Sequence, residues 1–396
     1  MKEYIFDEFS ILANEMSKEK NDPPFGPEDA GRALRFHRSL PDYRETELVS
    51  LKAAANRFQV DSIFVKDESS RFGLKAFKGL GGSYCIFRIL CEKLGFDPDT
   101  VDYTAFLEED VRKRCGEIDF VTATDGNHGK GISWAAKLFG CRAHVYMPKG
   151  SVEARRRAIE EAGTAEAAIT EYNYDGTIAF AEKLAEENGW ILVQDTSWDG
   201  YETYPKWIIE GYLTLAAEAE QQMGGKRPTH IFLQAGVGAM AGGIESYFLR
   251  SAGEEKPVVT IVEPEEAACI YQSVRAEDGS AHTIPGNPET IMAGLNCGTP
   301  CGVTWPTIRD HSAFYVSCRD SVTEQGMRAY ASPEGEDPEV VSGESGAVTY
   351  GVLRKILRSQ KLRELFGITE SSVILLVSTE GDTDPDGYRE ILALLQ

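Results

Sequence analysis

The sequence of 396 residues lacks long apolar runs, clustered cysteines and an excess of basic residues. No stretch approaches the roughly 20 apolar residues that span a bilayer, and residues 1–8 lack the basic and apolar pattern of a secretory signal peptide. With 41 basic and 63 acidic residues, the net charge is −22. This charge disfavours general attraction to nucleic acid or to an anionic membrane. We therefore expect a cytoplasmic protein that binds neither.

The eight cysteines are scattered through the chain. This distribution is typical of reduced thiols and does not predict a disulfide framework. A bridge from Cys269 to either Cys297 or Cys301 is compatible with the sequence, which does not decide the point. Because no second Cys or His pair with metal-binding spacing accompanies Cys297 and Cys301, no metal site is predicted.

Helical and strand patterns alternate from about residue 44 to the end of the chain. Such alternation predicts α/β architecture with mostly parallel sheets. We expect a helix at 45–58 before the first strand at 62–66, and short helices and loops over residues 1–42.

A lysine lies at the first predicted strand-to-helix junction, within Ser-Arg-Phe-Gly-Leu-Lys-Ala-Phe-Lys-Gly-Leu-Gly-Gly at 70–82. The apolar neighbour Phe77 would lower the pKa of the Lys78 ammonium and make the amine nucleophilic. The glycines let another group approach the backbone closely. The alternative interpretation is a surface lysine in a glycine-rich turn.

The segment Thr-Asp-Gly-Asn-His-Gly at 124–129 follows the predicted strand at 119–123. Open α/β sheets place their ligands at this edge. Asn127 could donate a hydrogen bond to a ring oxygen, and Asp125 offers a carboxylate. Asp125 could instead cap the following helix, and His128 could be a structural histidine.

A later strand runs into the glycine loop, Gly-Val-Gly-Ala-Met-Ala-Gly-Gly at 236–243. Amides at the start of the next helix would form a phosphate cradle, because the helix dipole and unpaired N–H groups both favour an anion. The loop also fits the dinucleotide pattern G-x-G-x-x-A, with Glu263 as the ribose-binding acid. The last predicted strand, at 372–377, ends in the hydroxyl residues Ser378 and Thr379.

The order and spacing of these segments resemble the fold type II (tryptophan synthase β-like) pyridoxal-phosphate enzymes, from about residue 44 onward. Within that group, the segment at 124–129, with Val-Gln-Asp-Thr-Ser-Trp at 193–198 and Ser-Thr-Glu-Gly-Asp-Thr-Asp-Pro at 378–385, is similar to the diaminopropionate ammonia-lyases.

This resemblance implies a two-domain α/β fold with mostly parallel, twisted sheets flanked by helices. Residues 1–86 and 224–396 would form a large domain that binds pyridoxal 5'-phosphate, and 87–223 a smaller inserted domain with a four-stranded parallel sheet. The cofactor would lie in the cleft between the domains, and a homodimer is implied as well.

The resemblance also implies roles for individual residues. Lys78 would form the Schiff base with the cofactor, Asn127 would bond its ring oxygen, and Ser378, with a contribution from Thr379, would bond the pyridine nitrogen. Asp125 stands where the dehydratases commonly carry serine, and Asp195 would contribute to the same acidic pocket. The phosphate would be held by the amides of Gly236, Val237, Gly238, Ala239 and Met240.

These roles predict elimination of ammonia from D- or L-2,3-diaminopropionate, a small amino acid, giving pyruvate and two ammonia. Lys78 would take the Cα proton from one enantiomer and Asp125 from the other. A serine or threonine dehydratase-type enzyme and an NAD-dependent oxidoreductase are the alternatives. A non-catalytic protein that keeps the fold is a third.

Overall fold

The computed structural model describes residues 1–14, 20–124, 126–163, 165–286 and 288–393. The chain divides into two compact units. Unit 1 comprises Met1–Pro27, Glu45–Ser70 and Leu215–Gln396, whereas unit 2 comprises Glu28–Arg44 and Arg71–Thr214.

The secondary structure alternates between strands and helices over most of the described chain. The strands, β1 to β12 in chain order, are Lys2–Ile5, Phe9–Ala13, Leu48–Ser50, Ser62–Asp67, Asp119–Ala123, Arg142–Met147, Glu166–Ile169, Ile191–Leu192, His230–Gln234, Val258–Pro264, Phe314–Cys318 and Val373–Ser378. The helices, α1 to α15, are Pro27–Arg38, Lys52–Phe58, Lys78–Leu94, Glu109–Cys115, Asn127–Phe139, Glu153–Ala162, Tyr174–Asn188, Thr203–Gln222, Ala239–Ser251, Cys269–Arg275, Trp305–His311, Asp320–Ala331, Glu344–Leu357, Gln360–Phe366 and Pro385–Ala393.

Unit 1 contains a mixed eight-stranded sheet in the order β1-β2-β11-β10-β9-β12-β4-β3. Strands β4, β9, β10, β11 and β12 run parallel to one another, while β2 and β3 pair antiparallel with β11 and β4. Strands β9 and β12 are buried along their whole length, as expected for parallel strands that are covered on both faces. Phe232 and Leu376 of these strands share a buried apolar cluster with Val348 of α13.

Unit 2 contains a four-stranded sheet in the order β7-β6-β5-β8, and its strands are parallel throughout. Helices α3 and α5 end at glycines in the left-handed conformation, Gly95 and Gly140, each with φ of 78°. Glycine adopts this conformation without a Cβ clash and so ends each helix sharply. The α/β class predicted from the alternating pattern is confirmed.

The boundaries of the units differ from the predicted domain limits, 1–86 with 224–396 and 87–223. Helix α3 begins at Lys78, before the predicted limit at residue 87, and it packs against α5 of unit 2. Because a packed helix cannot be divided between two compact bodies, all of α3 belongs to unit 2.

Two local predictions are wrong. Residues 48–50 form a strand inside the predicted helix at 45–58, because Leu48 and Ser50 pair with Lys66 and Phe64 of β4. Residues 2–5 and 9–13 form an antiparallel pair of strands at one edge of the large sheet, where only helices and loops were expected.

Among the described helices, none combines the length and apolar character needed to cross a bilayer.

The crossing of α12 and α13 predicts a strong effect of one added methyl group. A Cβ on Gly351 would lie 2.2 Å from the carbonyl oxygen of Val322, which is backbone and cannot move aside. We expect Gly351→Ala to lower the free energy of unfolding by about 1–3 kcal/mol, measured by urea unfolding. The control is Gly31→Ala in helix α1, where nothing lies within 4 Å. Equal stability of both variants would contradict this packing.

Candidate active site

The amine of Lys78 is held against a carboxylate in unit 2. Lys78 is the first residue of α3, and its Nζ donates a hydrogen bond to Oδ2 of Asp195, just beyond β8. Their side chains are only 17% and 12% exposed. The Nζ atom also lies 5.3 Å from the ring centroid of Phe77 and 5.8 Å from that of Tyr212. The structure therefore brings together two of the predicted catalytic residues, in partly aromatic surroundings.

The charges around Lys78 fix the ionisation of Asp195. Burial by itself raises the pKa of this carboxyl, but the positive charges of His128, once its ring is protonated in acid, and of the Lys78 ammonium outweigh burial and hold the pKa well below its ordinary value. Burial lowers the pKa of His128. The pocket therefore holds an ionised carboxylate next to a neutral imidazole at neutral pH.

The imidazole of His128 has a defined orientation. Its Nε2 donates to the carbonyl oxygen of Val193 at 2.9 Å, so its Nδ1 carries the lone pair of the neutral ring. This Nδ1 lies 3.8 Å from Oδ2 of Asp195. It is fully buried and has no hydrogen-bond partner among the described residues. The site thus offers one unsatisfied acceptor beside the lysine.

A glutamine side chain ties the ends of β5 and β8 together. Gln194 donates through Nε2 to the carbonyl oxygen of Ala123 at 2.8 Å, and its Oε1 accepts from the Thr122 hydroxyl at 3.0 Å. Its backbone amide donates to the Tyr201 hydroxyl at 2.8 Å. Because Gln194 directly precedes Asp195, these three hydrogen bonds fix the position of the Asp195 backbone and so of its carboxylate.

Glycines let α3 and α5 approach each other at Lys78. A Cβ on Gly131 would lie 3.0 Å from both the carbonyl carbon and oxygen of Lys78. A Cβ on Gly82 would lie 3.2 Å from the carbonyl carbon of Gly131. Because any side chain at these points would separate the helices, the glycines are needed to position the lysine backbone.

The second predicted base, Asp125, lies outside the described residues. Among its described neighbours, the hydroxyl of Thr124 accepts hydrogen bonds from the amides of Gly126 at 3.0 Å and Gly129 at 3.1 Å. Asn127 follows as the first residue of α5. The roles of Asp125 and Asn127 stay predictions.

The glycine loop of unit 1 forms the predicted strand-to-helix junction. It follows β9 and leads into α9, whose first N–H groups have no intrahelical acceptor. Gly238 has φ of 85°, and a Cβ there would lie 2.8 Å from Ile308. A Cβ on Gly236 would lie 3.1 Å from Sγ of Cys297. The loop therefore requires glycines for its path, and it leads into the start of a helix, where unpaired N–H groups favour an anion.

The hydroxyl of Ser378 is buried at the end of β12 and bonds to a second hydroxyl. Its Oγ donates to Oγ of Ser342 at 2.8 Å, and both residues are fully buried. The neighbouring Thr379 hydroxyl accepts from Nε2 of Gln234 at 3.0 Å. A Cβ on Gly346 would lie 2.6 Å from the Ser342 hydroxyl, so this glycine keeps space for the pair.

The carboxylate of Glu263 is hydrogen-bonded to backbone amides within unit 1. Its two carboxylate oxygens accept hydrogen bonds from the amides of Ile270 at 2.8 Å and Tyr271 at 2.7 Å, at the start of α10. Burial raises the pKa of this carboxyl to about 8. Glu263 therefore caps a helix and is not free to bind a ribose hydroxyl, which removes the support for the dinucleotide alternative.

Cys269, Cys297 and Cys301 form no disulfide bond with one another in this structure. Cys269 donates to the carbonyl oxygen of Gly236 at 3.5 Å, so this thiol packs beneath the glycine loop. The sequence left a bridge open here, and the structure has none among these three residues.

Sequence reasoning gave no functional role to three residues that lie at these sites: His128, Tyr212 and Ser342. The sequence offered His128 only as an alternative structural residue, although its position next to Asn127 was a usable signal. Tyr212 comes from a distant helix, and no local pattern marks it. Ser342 begins a polar, glycine-containing segment at 342–347 that is visible in the sequence, but its contact with Ser378 is not.

Comparisons with known proteins agree with these features. The sequence pattern of a family described as pyridoxal-phosphate dependent enzyme matches residues 40–379. The chain is 44% identical to the diaminopropionate ammonia-lyase of Escherichia coli strain K12 over 388 residues, 96% of each protein.

Solved structures of diaminopropionate ammonia lyase have a similar fold. Holo diaminopropionate ammonia lyase from Escherichia coli superposes with a TM-score of 0.91 at 42% identity, over 99% of both chains. The same lyase in complex with D-serine superposes with a TM-score of 0.90, again at 42% identity, over 98% of both chains.

The Lys78–Asp195 pair predicts how acid affects the apoenzyme, in which the lysine amine is free. Because the folded pKa of Asp195 is depressed, the pair stabilises the fold above the unfolded Asp value of about 3.9, and this contribution is lost as the pH falls through the lower folded value. At pH 7, Asp195→Asn should lower the free energy of unfolding by about 3 kcal/mol. The difference from wild type should shrink below about pH 4.

The measurement is chemical unfolding of both apoenzymes from pH 3 to pH 8. Asp99→Asn is the control, because Asp99 pairs with Arg35 while both side chains are more than half exposed. That variant should stay within about 1 kcal/mol of wild type. A loss for Asp195→Asn that persists unchanged at pH 3 would contradict the ion pair.

Proposed function

The chain belongs to the family of pyridoxal-phosphate dependent enzymes, and we propose that it eliminates ammonia from 2,3-diaminopropionate, giving pyruvate and a second ammonia. The predicted family, fold type and cofactor are confirmed by the comparisons, and so is the class of a pyridoxal-phosphate dependent ammonia-lyase. The observation that carries the choice of substrate is the ionised, buried carboxylate of Asp195 against the amine of Lys78.

The residues of both units fit pyridoxal phosphate by their chemistry. The glycine loop provides amides and a space that side chains would fill, which suits a phosphate. Lys78 provides a buried amine for covalent attachment, and His128 an unsatisfied buried acceptor next to it. When bound, pyridoxal phosphate supplies an electron sink for negative charge at the Cα of an amino acid.

We assign the phosphate to the amides of residues 236–240. The ring oxygen would accept from the amide of Asn127, and the ring nitrogen would face the hydroxyl of Ser378. Ser342 supports this last role, because it bonds the same hydroxyl at 2.8 Å. Through this bond Ser342 would orient the hydroxyl of Ser378. Thr379 would stabilise the strand end through Gln234.

The substrate carries a second amine, and the pocket must accommodate that cation. Asp195 is ionised and nearly buried. A buried carboxylate is costly unless a cation accompanies it, and the side-chain ammonium of diaminopropionate supplies one. A hydroxy amino acid has no such group. The acidic pocket therefore favours the diamino acid over the substrates of the dehydratases.

Two bases account for the two enantiomers. Lys78 takes the Cα proton of one enantiomer through Nζ, and Asp125 takes it from the other face through a carboxylate oxygen. Aromatic Phe77 and Tyr212 lie next to Nζ and limit its hydration. His128 is neutral because of burial, so it adds no positive charge that would repel the substrate ammonium.

The alternatives have less support. A dehydratase-type enzyme does not need the carboxylates at 125 and 195. The oxidoreductase needs Glu263, whose oxygens are both bonded to backbone amides. We further propose a homodimer, which the family resemblance implies, and a cytoplasmic location, which the scattered cysteines favour.

A substrate panel tests the proposed activity. We expect D- or L-2,3-diaminopropionate, or both, to give two ammonia per pyruvate, at rates at least tenfold above D-serine, L-serine and L-threonine. The reason is the pairing of the second amine with the acidic pocket, and a factor of ten corresponds to about 1.4 kcal/mol in the barrier. Pyruvate and ammonia are measured in the same samples, with Lys78→Ala as the inactive control. Turnover of L-serine or L-threonine alone would contradict the substrate assignment while leaving the cofactor assignment intact.

The two-base proposal predicts an enantiomer-dependent loss. Asp125→Asn should reduce kcat for D-diaminopropionate by at least a hundredfold more than kcat for the L-form, because only one enantiomer presents its proton to Asp125. Initial rates of pyruvate release on each pure enantiomer provide the measurement, and Asp199→Asn, an exposed aspartate near the same pocket in sequence, is the control. An equal loss on both enantiomers would rule out separate bases.

A further inference from the structure

A second concave site lies entirely within unit 2, apart from the residues proposed to hold the cofactor. It is a cavity of about 610 Å³, a size typical of small-molecule sites. The outward face of α5 forms its floor, and α4, α6 and the turn before α3 form its walls. The lining residues are Gly73, Leu74, Tyr103, Arg112, Lys130, Trp134, Lys137, Leu138, Ala158, Glu161 and Ala162.

Three cations converge on this cavity: Arg112, Lys130 and Lys137. Within the described part of the chain, none of the three forms an ion pair with a carboxylate at 4.0 Å or less. The protein as a whole has 63 acidic and only 41 basic residues. The cavity also contains one carboxylate, Glu161, so its local charge is about +2, opposite to that of the whole protein.

Two of these cations are held in place by carbonyl groups of the cavity wall. Nζ of Lys130 donates to the carbonyl oxygen of Leu74 at 2.9 Å, and Nη1 of Arg112 donates to that of Leu138 at 3.3 Å. Lys130 and Lys137 stand seven residues apart on α5, which places them on one face of the helix. Burial and the charge of Lys75 lower the pKa of Lys130, against an opposing effect of the Glu161 carboxylate, and a bound anion would favour the charged form of Lys130 further.

One wall of the cavity is apolar and is formed by Leu74 and Trp134. The ring of Trp134 stacks on Phe72 at 4.4 Å between centroids. Leu74 and Trp134 both lie over Gly79. A Cβ added at Gly79 would be 2.8 Å from Cδ1 of Leu74 and 3.6 Å from Cε3 of Trp134. This wall offers a surface for the organic part of a ligand, next to the cations.

We propose that this cavity binds a small organic phosphate monoester, distinct from the catalytic cofactor. Arginine and lysine are the preferred partners of phosphate oxygens, through bidentate and point-charge contacts. A phosphate monoester carries nearly two negative charges at neutral pH, which matches the local charge of the cavity. The aromatic and aliphatic wall fits the ester group. This proposal does not depend on the substrate of the catalytic site.

The test uses the holoenzyme, so that the proposed cofactor site is already filled, and phenyl phosphate as the probe in isothermal titration calorimetry. We expect saturable binding to one site per chain. Arg112→Gln and Lys137→Gln should each weaken it at least tenfold. Lys113→Gln is the matched control: it removes the same charge from the same short helix, but Lys113 does not line the cavity. It should leave the affinity within twofold.

Thermal unfolding and cofactor absorbance of each variant establish that the fold and the cofactor are retained. Inorganic phosphate should bind more weakly than phenyl phosphate, because it cannot use the wall formed by Leu74 and Trp134. Succinate, a dicarboxylate, should bind more weakly as well. No saturable heat with phenyl phosphate, or equal weakening by the Lys113→Gln control, would overturn the site. Equal affinity for succinate would overturn the phosphate assignment.

Discussion

The contact between the Lys78 amine and the Asp195 carboxylate is the constraint on which the catalytic half of unit 2 depends. A buried carboxylate is tolerated only with a cationic partner, so each residue requires the other to stay in place. The hydrogen bonds of the Gln194 side chain hold Asp195 beyond the end of β8. The close approach of α3 and α5 at Gly131 positions the backbone of Lys78. The same carboxylate that neutralises the lysine amine is the group proposed to attract the second amine of the substrate.

Both units place their functional groups beyond the carboxyl ends of parallel strands. In unit 2, Asp195 and the turn at Thr124 follow β8 and β5. In unit 1, Ser378 ends β12 and the glycine loop follows β9. The middle positions of these strands are mostly apolar and packed, and ligands of open α/β sheets bind at the carboxyl ends of the strands. The predicted cleft between domains stays a prediction, as do the roles assigned to individual cofactor contacts.

Much of this arrangement could be predicted from local sequence. The lysine turn and the glycine loop are visible because glycine marks places where the backbone must come close to another group. The pairing of Lys78 with Asp195 was not visible, since 117 residues separate them. The contact of Ser342 with Ser378 was not visible for the same reason. The strand at Leu48–Ser50 was missed because its pairing with β4, not its own propensity, decides its structure.

The measurement that tests the central claim most directly is the location of the cofactor on the chain. Borohydride reduction of the holoenzyme makes the bond between the cofactor and its lysine permanent, and peptide mass spectrometry then locates the added phosphopyridoxyl group. The account predicts this group on Lys78, the lysine whose amine contacts Asp195. Its appearance instead on Lys75 or Lys130, which lie in the neighbouring turn and helix, would contradict the account.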